Sequence, residues 1–353
     1  MQIQLHVPAL SPITTRSTSL SDTEATISNP VILVFNKQKV LVQKPIEAGS
    51  VTSSTTEASI TAQLLPTGEC SLYVVANLTD ELHGKLVATE AGATYANIQN
   101  LLVANLNKEA KNIALSAPFP MSGSIELAGI SEANKNVTIP LTLAVARFDV
   151  DGAATDPGKE GFTVTGMYLV NAAPSGYILP TAEPPYWEDT DVVPYDEAKN
   201  TASDTGVYPT QMAGKVYCYE KKGLKGDTPS ATRIVVSGCR AGITTPTYYP
   251  IDIIYEKTTD GTARKTYDIE RNKLYTIKLG KVEKEGYRTY AEAAKSEAFN
   301  SMVDAEIVVT DPYSYDITTN GKQYMGVTNA EFVIYPAEGG TALNNLHITP
   351  LAY

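Results

Sequence analysis

The sequence predicts an all-β chain of two tandem sandwich-like domains with few short helices, and three observations carry that expectation. The length of 353 residues is enough for a sizeable core and points to about two domains. The aromatic usage is skewed, with 21 Tyr against 6 Phe and 1 Trp, in a Thr-rich chain that also holds 24 Gly and 21 Pro. That mixture joins sheet formers to turn formers. Short apolar segments, many of period two, recur between polar or turn-rich stretches, and no repeat of 20–50 residues suggests a solenoid.

The first segment, Gln2 to Ala9, alternates: Ile3, Leu5 and Val7 point one way and Gln2, Gln4 and His6 the other. This is the pattern of a half-buried strand, and Pro8 suits its end or a sheet edge. Ser11 to Asn29 is a polar run with one basic residue, Arg16, and reads as an exposed linker open to proteases. Strands are expected at Val31–Phe35, Ala58–Leu64 and Ser71–Ala76. The best helix candidate is Thr94–Asn112, where Ile98, Leu101, Leu102, Ala104 and Leu106 recur at near-helical spacing. Ile139–Val150 returns to strand, and the turn-rich stretch from Asp151 to Gly158 suggests a domain boundary, dividing the chain into residues 1–155 and 156–353.

The second half is more plainly β, with strands expected at Phe162–Val170, Lys215–Tyr219, Arg233–Gly238, Thr247–Tyr255, Leu274–Lys278 and Ala305–Val309, and a short helix at Tyr290–Asn300. A long Pro-rich loop from Pro174 to Gln211 holds Trp187. The tail, about 327–353, offers two more β segments, Glu331–Tyr335 and Leu346–Tyr353, joined through Gly339 and Gly340.

Charge and motifs narrow the function. The 28 Lys and Arg against 39 Asp and Glu give a net charge of −11, which argues against nucleic acid as a partner. No apolar run is long enough for a membrane-spanning helix. Met1 leads straight into a strand-like segment, so the sequence reads as carrying no signal peptide, as fits a cytoplasmic protein or a trimmed mature form. Cys70, Cys218 and Cys239 stand far apart and outside any metal-binding pair; a Cys218–Cys239 bridge is open, but small buried hydrophobes is the plainer reading. Asp149, Asp151 and Glu160 stand at the first, third and twelfth positions of an EF-hand-like spacing, yet Ala153 and Ala154 occupy the fifth and sixth, which favours a solvated turn over a calcium site. Trp187 can anchor a ligand such as a sugar or pin its own loop, and the second reading is preferred. With no catalytic constellation and no cofactor motif, the chain is expected not to be an enzyme.

Several stretches together resemble the fimbrillin family of Bacteroidales, the major and minor fimbrial subunits. They are Pro140-Leu141-Thr142-Leu143-Ala144-Val145-Ala146-Arg147-Phe148, then Val164 to Ala172 (Val-Thr-Gly-Met-Tyr-Leu-Val-Asn-Ala), then Tyr248-Tyr249-Pro250-Ile251 with the block Arg271-Asn272-Lys273-Leu274-Tyr275. The resemblance implies two transthyretin-like Greek-key sandwiches. It implies export as a lipoprotein to the outer membrane, although the lipoprotein signal is absent from this sequence. It further implies cleavage by an arginine-specific protease, polymerisation by strand exchange, and a place in a cell-surface fimbria. On this chain the cleaved bond matches Arg16–Ser17, the removable strand lies in residues 1–16 with Ile3, Leu5 and Val7, and residues 17–29 form the linker. The tail candidates for donation are Phe332, Ile334, Leu346, Ile348, Leu351 and Tyr353. Expected partners are other copies of the chain, other fimbrial subunits and the protease. A second reading is a tip adhesin or accessory subunit that binds a host glycan or protein through the Trp187 loop.

Elementary energetics fit the mechanism. Burying Ile3, Leu5 and Val7 contributes about 1.5–3 kcal/mol each. A cut at Arg16 leaves that strand held by noncovalent contacts alone. Its departure exposes an apolar groove and unpaired backbone groups, which a tail with matching alternation can fill. Head-to-tail donation does not close on itself and gives a filament.

Overall fold

The structure is a computed structural model that describes residues 1–6, 26–53, 57–105, 115, 117–131, 136–151, 162–187, 215–223, 231–256, 265–266, 268–282, 285–296, 303–310, 315–319, 323–327 and 350–352. The first unit contains β1 (Gln2–His6), β2 (Val31–Asn36), β3 (Ile46–Glu47), β4 (Ser50–Ser53), β5 (Glu57–Thr61), β6 (Cys70–Ala76), α1 (Asp80–Val87), α2 (Tyr95–Leu101), β7 (Val103–Asn105), β8 (Met121–Leu127), β9 (Asn136–Pro140) and β10 (Thr142–Leu143). Two sheets form the sandwich, in the orders β4-β5-β1-β9 and β10-β8-β6-β2-β3. Ile3, Leu5, Ile32, Val34, Ile60, Leu72, Val74 and Ile139 meet in the core between them.

Local sequence explains which strands are covered on both faces. The run Val31 to Phe35 is apolar throughout because both its faces are buried. Ile32 and Val34 face the sandwich core, whereas Val31, Leu33 and Phe35 meet α1 and α2 through Leu82, Leu86 and Ile98. Helix α1 begins at a Thr79 cap, whose hydroxyl accepts from the Leu82 N–H, and has Asp80 and Glu81 in its first turn.

Helix α2 corrects the expectation of one helix to Asn112. It ends at Leu101, and Leu102 donates its N–H to Ile98 but leaves the helical region with ψ at 56°. Its carbonyl then accepts from Ile178, and Val103–Asn105 pair with Ser175–Tyr177 as a strand. Apolar spacing continues past the helix, but its backbone hydrogen bonds are taken elsewhere. Residues 106–112 lie outside the described residues.

The segment expected as one strand from Ile139 to Val150 crosses from one sandwich to the other. Leu141 and Leu143 lie in the first core, Ala146 and Phe148 in the second. The break comes at Ala144, where the Asn272 side chain accepts the Leu143 N–H at 3.0 Å and the Asn272 N–H donates to Val145 at 2.8 Å. The change of sandwich therefore precedes the turn-rich stretch after Asp151, of which residues 152–161 lie outside the described residues.

The second unit holds β11 (Val145–Asp151), β12 (Phe162–Val170), β13 (Ser175–Tyr177), β14 (Lys215–Tyr219), β15 (Arg233–Arg240), β16 (Thr247–Asp252), β17 (Ile254–Glu256), β18 (Lys265–Thr266), β19 (Leu274–Val282), α3 (Tyr290–Lys295) and β20 (Val303–Thr310). Sheets β14-β11-β19-β20 and β12-β15-β16 enclose a core of Phe148, Val216, Ile234, Val236, Ile251, Tyr275 and Ile277. Strands β21 (Tyr315–Thr319), β22 (Gln323–Val327) and β23 (Pro350–Ala352) form a separate three-stranded sheet. The chain is thus mostly β with three short helices among the described residues, as the composition predicts.

A polar latch fixes the junction. Arg271 donates to the carbonyls of Ile178 (2.8 Å) and Tyr177 (2.7 Å) and pairs with Glu220 at 2.5 Å. Tyr95 and Gln99 of α2 hold the carbonyl of Pro180, two residues further on. A Cβ at Gly176 would meet the Tyr219 ring at 2.2 Å, so this close approach of backbone to ring requires glycine.

Candidate functional site: the slot of the first strand

Strand β1 is an interior strand. It pairs antiparallel with β5, Ile3 opposite Ile60 and Leu5 opposite Ala58, and parallel with β9, Ile3 opposite Val137 and Leu5 opposite Ile139. Ile3 and Leu5 are each 0% exposed, whereas Gln2 and Gln4 face solvent. The alternation read from the sequence therefore matches an apolar floor on one side and a polar rim on the other. Met1 extends the pairing, donating its amino group to the Ala62 carbonyl at 2.8 Å and accepting the Ala62 N–H at 3.0 Å. A cleft of about 670 Å³ opens at this end, between Met1, Gln2, Ile46, Thr61 and Asn136. The edge position that Pro8 suggests is not the one β1 takes, and Pro8 itself lies outside the described residues.

The chain is fastened again just after the linker. Ile27 is buried in the first core. Asn77, held at φ +61°, accepts the Ser28 N–H at 2.7 Å and donates to the carbonyls of Thr26 and Phe119, each at 2.8 Å. These contacts tie residues 26–28 to the first unit ahead of β2, independently of the pairing of β1. In the Asn77-x-Thr79 triplet, which has the form of a glycosylation signal, Asn77 is a buried clasp and the exposed Thr79 caps α1.

Of the residues singled out by sequence, Ile3 and Leu5 come together in this slot. Val7, Arg16, Ser17, Phe332, Ile334, Leu346, Ile348 and Tyr353 lie outside the described residues. Leu351 lies in β23, opposite Tyr324. Trp187 packs, half-buried, against the first core, with its indole nitrogen buried and without a hydrogen-bond partner among the described residues. Asp149 is engaged by Arg147, which reaches both carboxylate oxygens at 2.7 and 2.6 Å and is itself fully buried. Glu160 lies outside the described residues, and no cluster of three acidic, His or Cys groups fit for a metal occurs among those described.

All three cysteines are free, so the open Cys218–Cys239 pairing is not formed. Burial pushes the Cys218 thiol up to about 12 and does the same to the Tyr219 phenol. His83 lies on α1 at 3.3 Å from Glu47. Sequence reasoning missed the partners of β1. Pairing with β9 is parallel and spans most of the first unit, and nothing in a strand's own alternation names its neighbour.

Comparison with known proteins agrees with this architecture. Residues 1–164 match the family of the major fimbrial subunit protein (FimA). A solved structure from Parabacteroides distasonis, described as a candidate cell adhesion protein, is similar with a TM-score of 0.51 at 17% identity, covering 88% of this chain and 98% of that one. A second structure so described from the same organism gives a TM-score of 0.50 at 16% identity, with the same coverage of both chains. The C-terminally truncated tip fimbrial protein Mfa3 from Porphyromonas gingivalis gives 0.48 at 13% identity, over 88% of this chain and 100% of that one. No curated protein matches the chain.

Proposed function

We propose that this chain, fimbrillin-like over residues 1–164, is a structural subunit of a cell-surface fimbria that polymerises by protease-triggered strand exchange. The observation that carries the proposal is β1: a strand fully buried at Ile3 and Leu5 and paired on both sides. It is separated from the Asn77 clasp by a linker whose lone basic residue is Arg16. Export as a lipoprotein, and cleavage after Arg16 by an arginine-specific protease, belong to the same proposal.

The interior placement sharpens the physics. Loss of β1 uncovers about 3–6 kcal/mol of buried side chain from Ile3 and Leu5. It also strips hydrogen-bond partners from two neighbouring strands at once, at about 0.5–1.5 kcal/mol per net bond. Spontaneous departure is therefore uphill, and replacement by an equivalent strand is close to neutral. A tail longer than β1 tips the exchange forward, and the cleft at the Met1 end gives it room. Donation from one copy to the next is heterologous and extends without closing. The tail candidates are the segments with Phe332 and Ile334, with Leu346 and Ile348, and with Leu351 and Tyr353. The adhesin alternative through Trp187 gains no support from an indole packed against the first core.

Two variants test the proposal. Arg16→Ala should resist the trypsin-like nick and fail to form fibres. A chain lacking Leu346–Tyr353 should remain a folded monomer that is nicked normally and does not polymerise. Normal fibres from either variant, seen by negative-stain microscopy, would refute it.

A further inference from the structure

We infer that the second unit is built as a strand acceptor of the same design as the first, and that its slot is filled within the molecule by β11, a continuation of the chain that leaves the first unit. The pairing carries this. In the first unit β1 lies antiparallel to β5 and parallel to β9; in the second β11 lies antiparallel to β14 and parallel to β19. The opposite sheets correspond as well. Strand β6 pairs antiparallel with β2 and β8, and β15 does so with β12 and β16. In each unit the first strand in sequence is interior to its sheet, set between two strands that come later. Strand β11 reaches that place directly from the first unit: Leu143 and Val145 lie in the first core, Ala146 and Phe148 in the second.

The second slot makes specific demands of its occupant. Its inward side takes the fully buried Phe148, which stacks on Tyr275 at 4.9 Å and lies opposite Val216. Its outward side takes Arg147 between Tyr217 and Leu274, two residues of the first core. A buried cation there needs a counter-charge. Asp149, two residues further along the same strand, provides it at 2.6 Å. Strand β11 thus brings the neutralising partner of its own buried cation. The outward residues of β1, Gln2 and Gln4, are exposed amides instead, so the two slots take different strands.

The second unit answers with a strap. Ser175–Tyr177 pair with β7, and the fully buried Ile178 and Leu179 join the cluster beneath α1 and α2. The Ile178 carbonyl accepts from the buried Ser122 hydroxyl at 2.8 Å. Each unit so holds a piece of the other, and the peptide link between β11 and β12 is not what keeps them together.

The full chain tests this with a recognition sequence for a site-specific protease placed between Asp151 and Phe162. Folded, purified protein is cut there. The two fragments should co-elute on size exclusion with the fluorescence of the single Trp187 unchanged; fragments that separate under native conditions overturn the inference. Phe148→Ala in the same chain should lower the denaturation midpoint. A synthetic peptide of residues Leu143–Asp151, added after the cut, should restore most of that loss, and the same peptide carrying Phe148→Ala should not. Equal effects of the two peptides, or none from either, overturn strand acceptance. If the Phe148→Ala chain does not fold, Val150→Ala at a half-buried position replaces it in both chain and peptide, with the same two outcomes. None of these readouts involves β1 or Arg16, so a failure here leaves the fibre reading standing.

Discussion

If fibres form by the proposed strand exchange, truncating Leu5 to Ala weakens the strand that leaves without touching the fibre that results. Leu5 is 0% exposed and sits between Ala58 and Ile139 on the core side of the sheet. The substitution removes three carbons, worth about 2.4 kcal/mol at roughly 0.8 kcal/mol per group. The cavity left behind raises the total to about 3–4 kcal/mol, inside the range of about 2–5 for buried Leu→Ala changes. In the uncut protein this appears as a lower denaturation midpoint with an unchanged slope. After the proposed nick at Arg16 the same energy would hold β1 in its slot. At about 1.4 kcal/mol per factor of ten, its escape should quicken by two to three orders of magnitude. Assembly of nicked protein, followed by light scattering and by detergent-resistant ladders on gels, should accelerate accordingly. On this proposal the finished fibre lacks residue 5, so the variant's fibre should melt as wild type. An uncut protein destabilised as expected but assembling at the wild-type rate would refute β1 release as a controlling step. A fibre weakened by the substitution would show that β1 is still present.

Two further outcomes follow from the junction and the core. Arg271→Ala strips the carbonyls of Tyr177 and Ile178 and leaves Glu220, whose side chain is 10% exposed, without its cation. Chemical denaturation should register a loss of about 3–5 kcal/mol, and a loss under about 1 kcal/mol would contradict the latch. Burial raises the folded-state pKa of Cys218 and of Tyr219 to about 12 each. Both groups are held neutral when folded, so their contribution is whole below the unfolded values of about 8.5 and 10 and is lost as pH climbs toward about 12. The contribution of these two groups should therefore be constant up to about pH 8 and fall steadily above it, and an unchanged denaturation midpoint between about pH 8 and about pH 11.5 would contradict this.

Much of the fold is legible because short-range pattern and burial coincide. Phe162–Val170 and Lys215–Tyr219 have the bounds expected from their apolar runs, and the alternation of Ile3 and Leu5 reports their burial correctly. Legibility fails where one pattern fits two structures. Leu101, Leu102 and Ala104 keep near-helical spacing while the chain turns from α2 into β7, and α1 is missed because only Leu82 and Leu86 of its residues are buried. Long-range pairing is the larger gap. The sequence marks β1 as a strand, yet it carries no mark of β5 on one side and β9 on the other. Asn272 is similar. The Arg271–Tyr275 block stands out as a motif, but its work at the Ala144 crossing depends on contacts with residues far earlier in the chain.

The most direct test is a fibre reconstruction by electron cryo-microscopy at a resolution that shows side chains, inspected between β5 and β9 of each subunit. The account predicts a strand there that traces to the carboxy-terminal tail of the adjoining copy, with the subunit's own chain first visible after Arg16. A strand beginning at the same subunit's Met1, with Ile3 and Leu5 still seated, would contradict it.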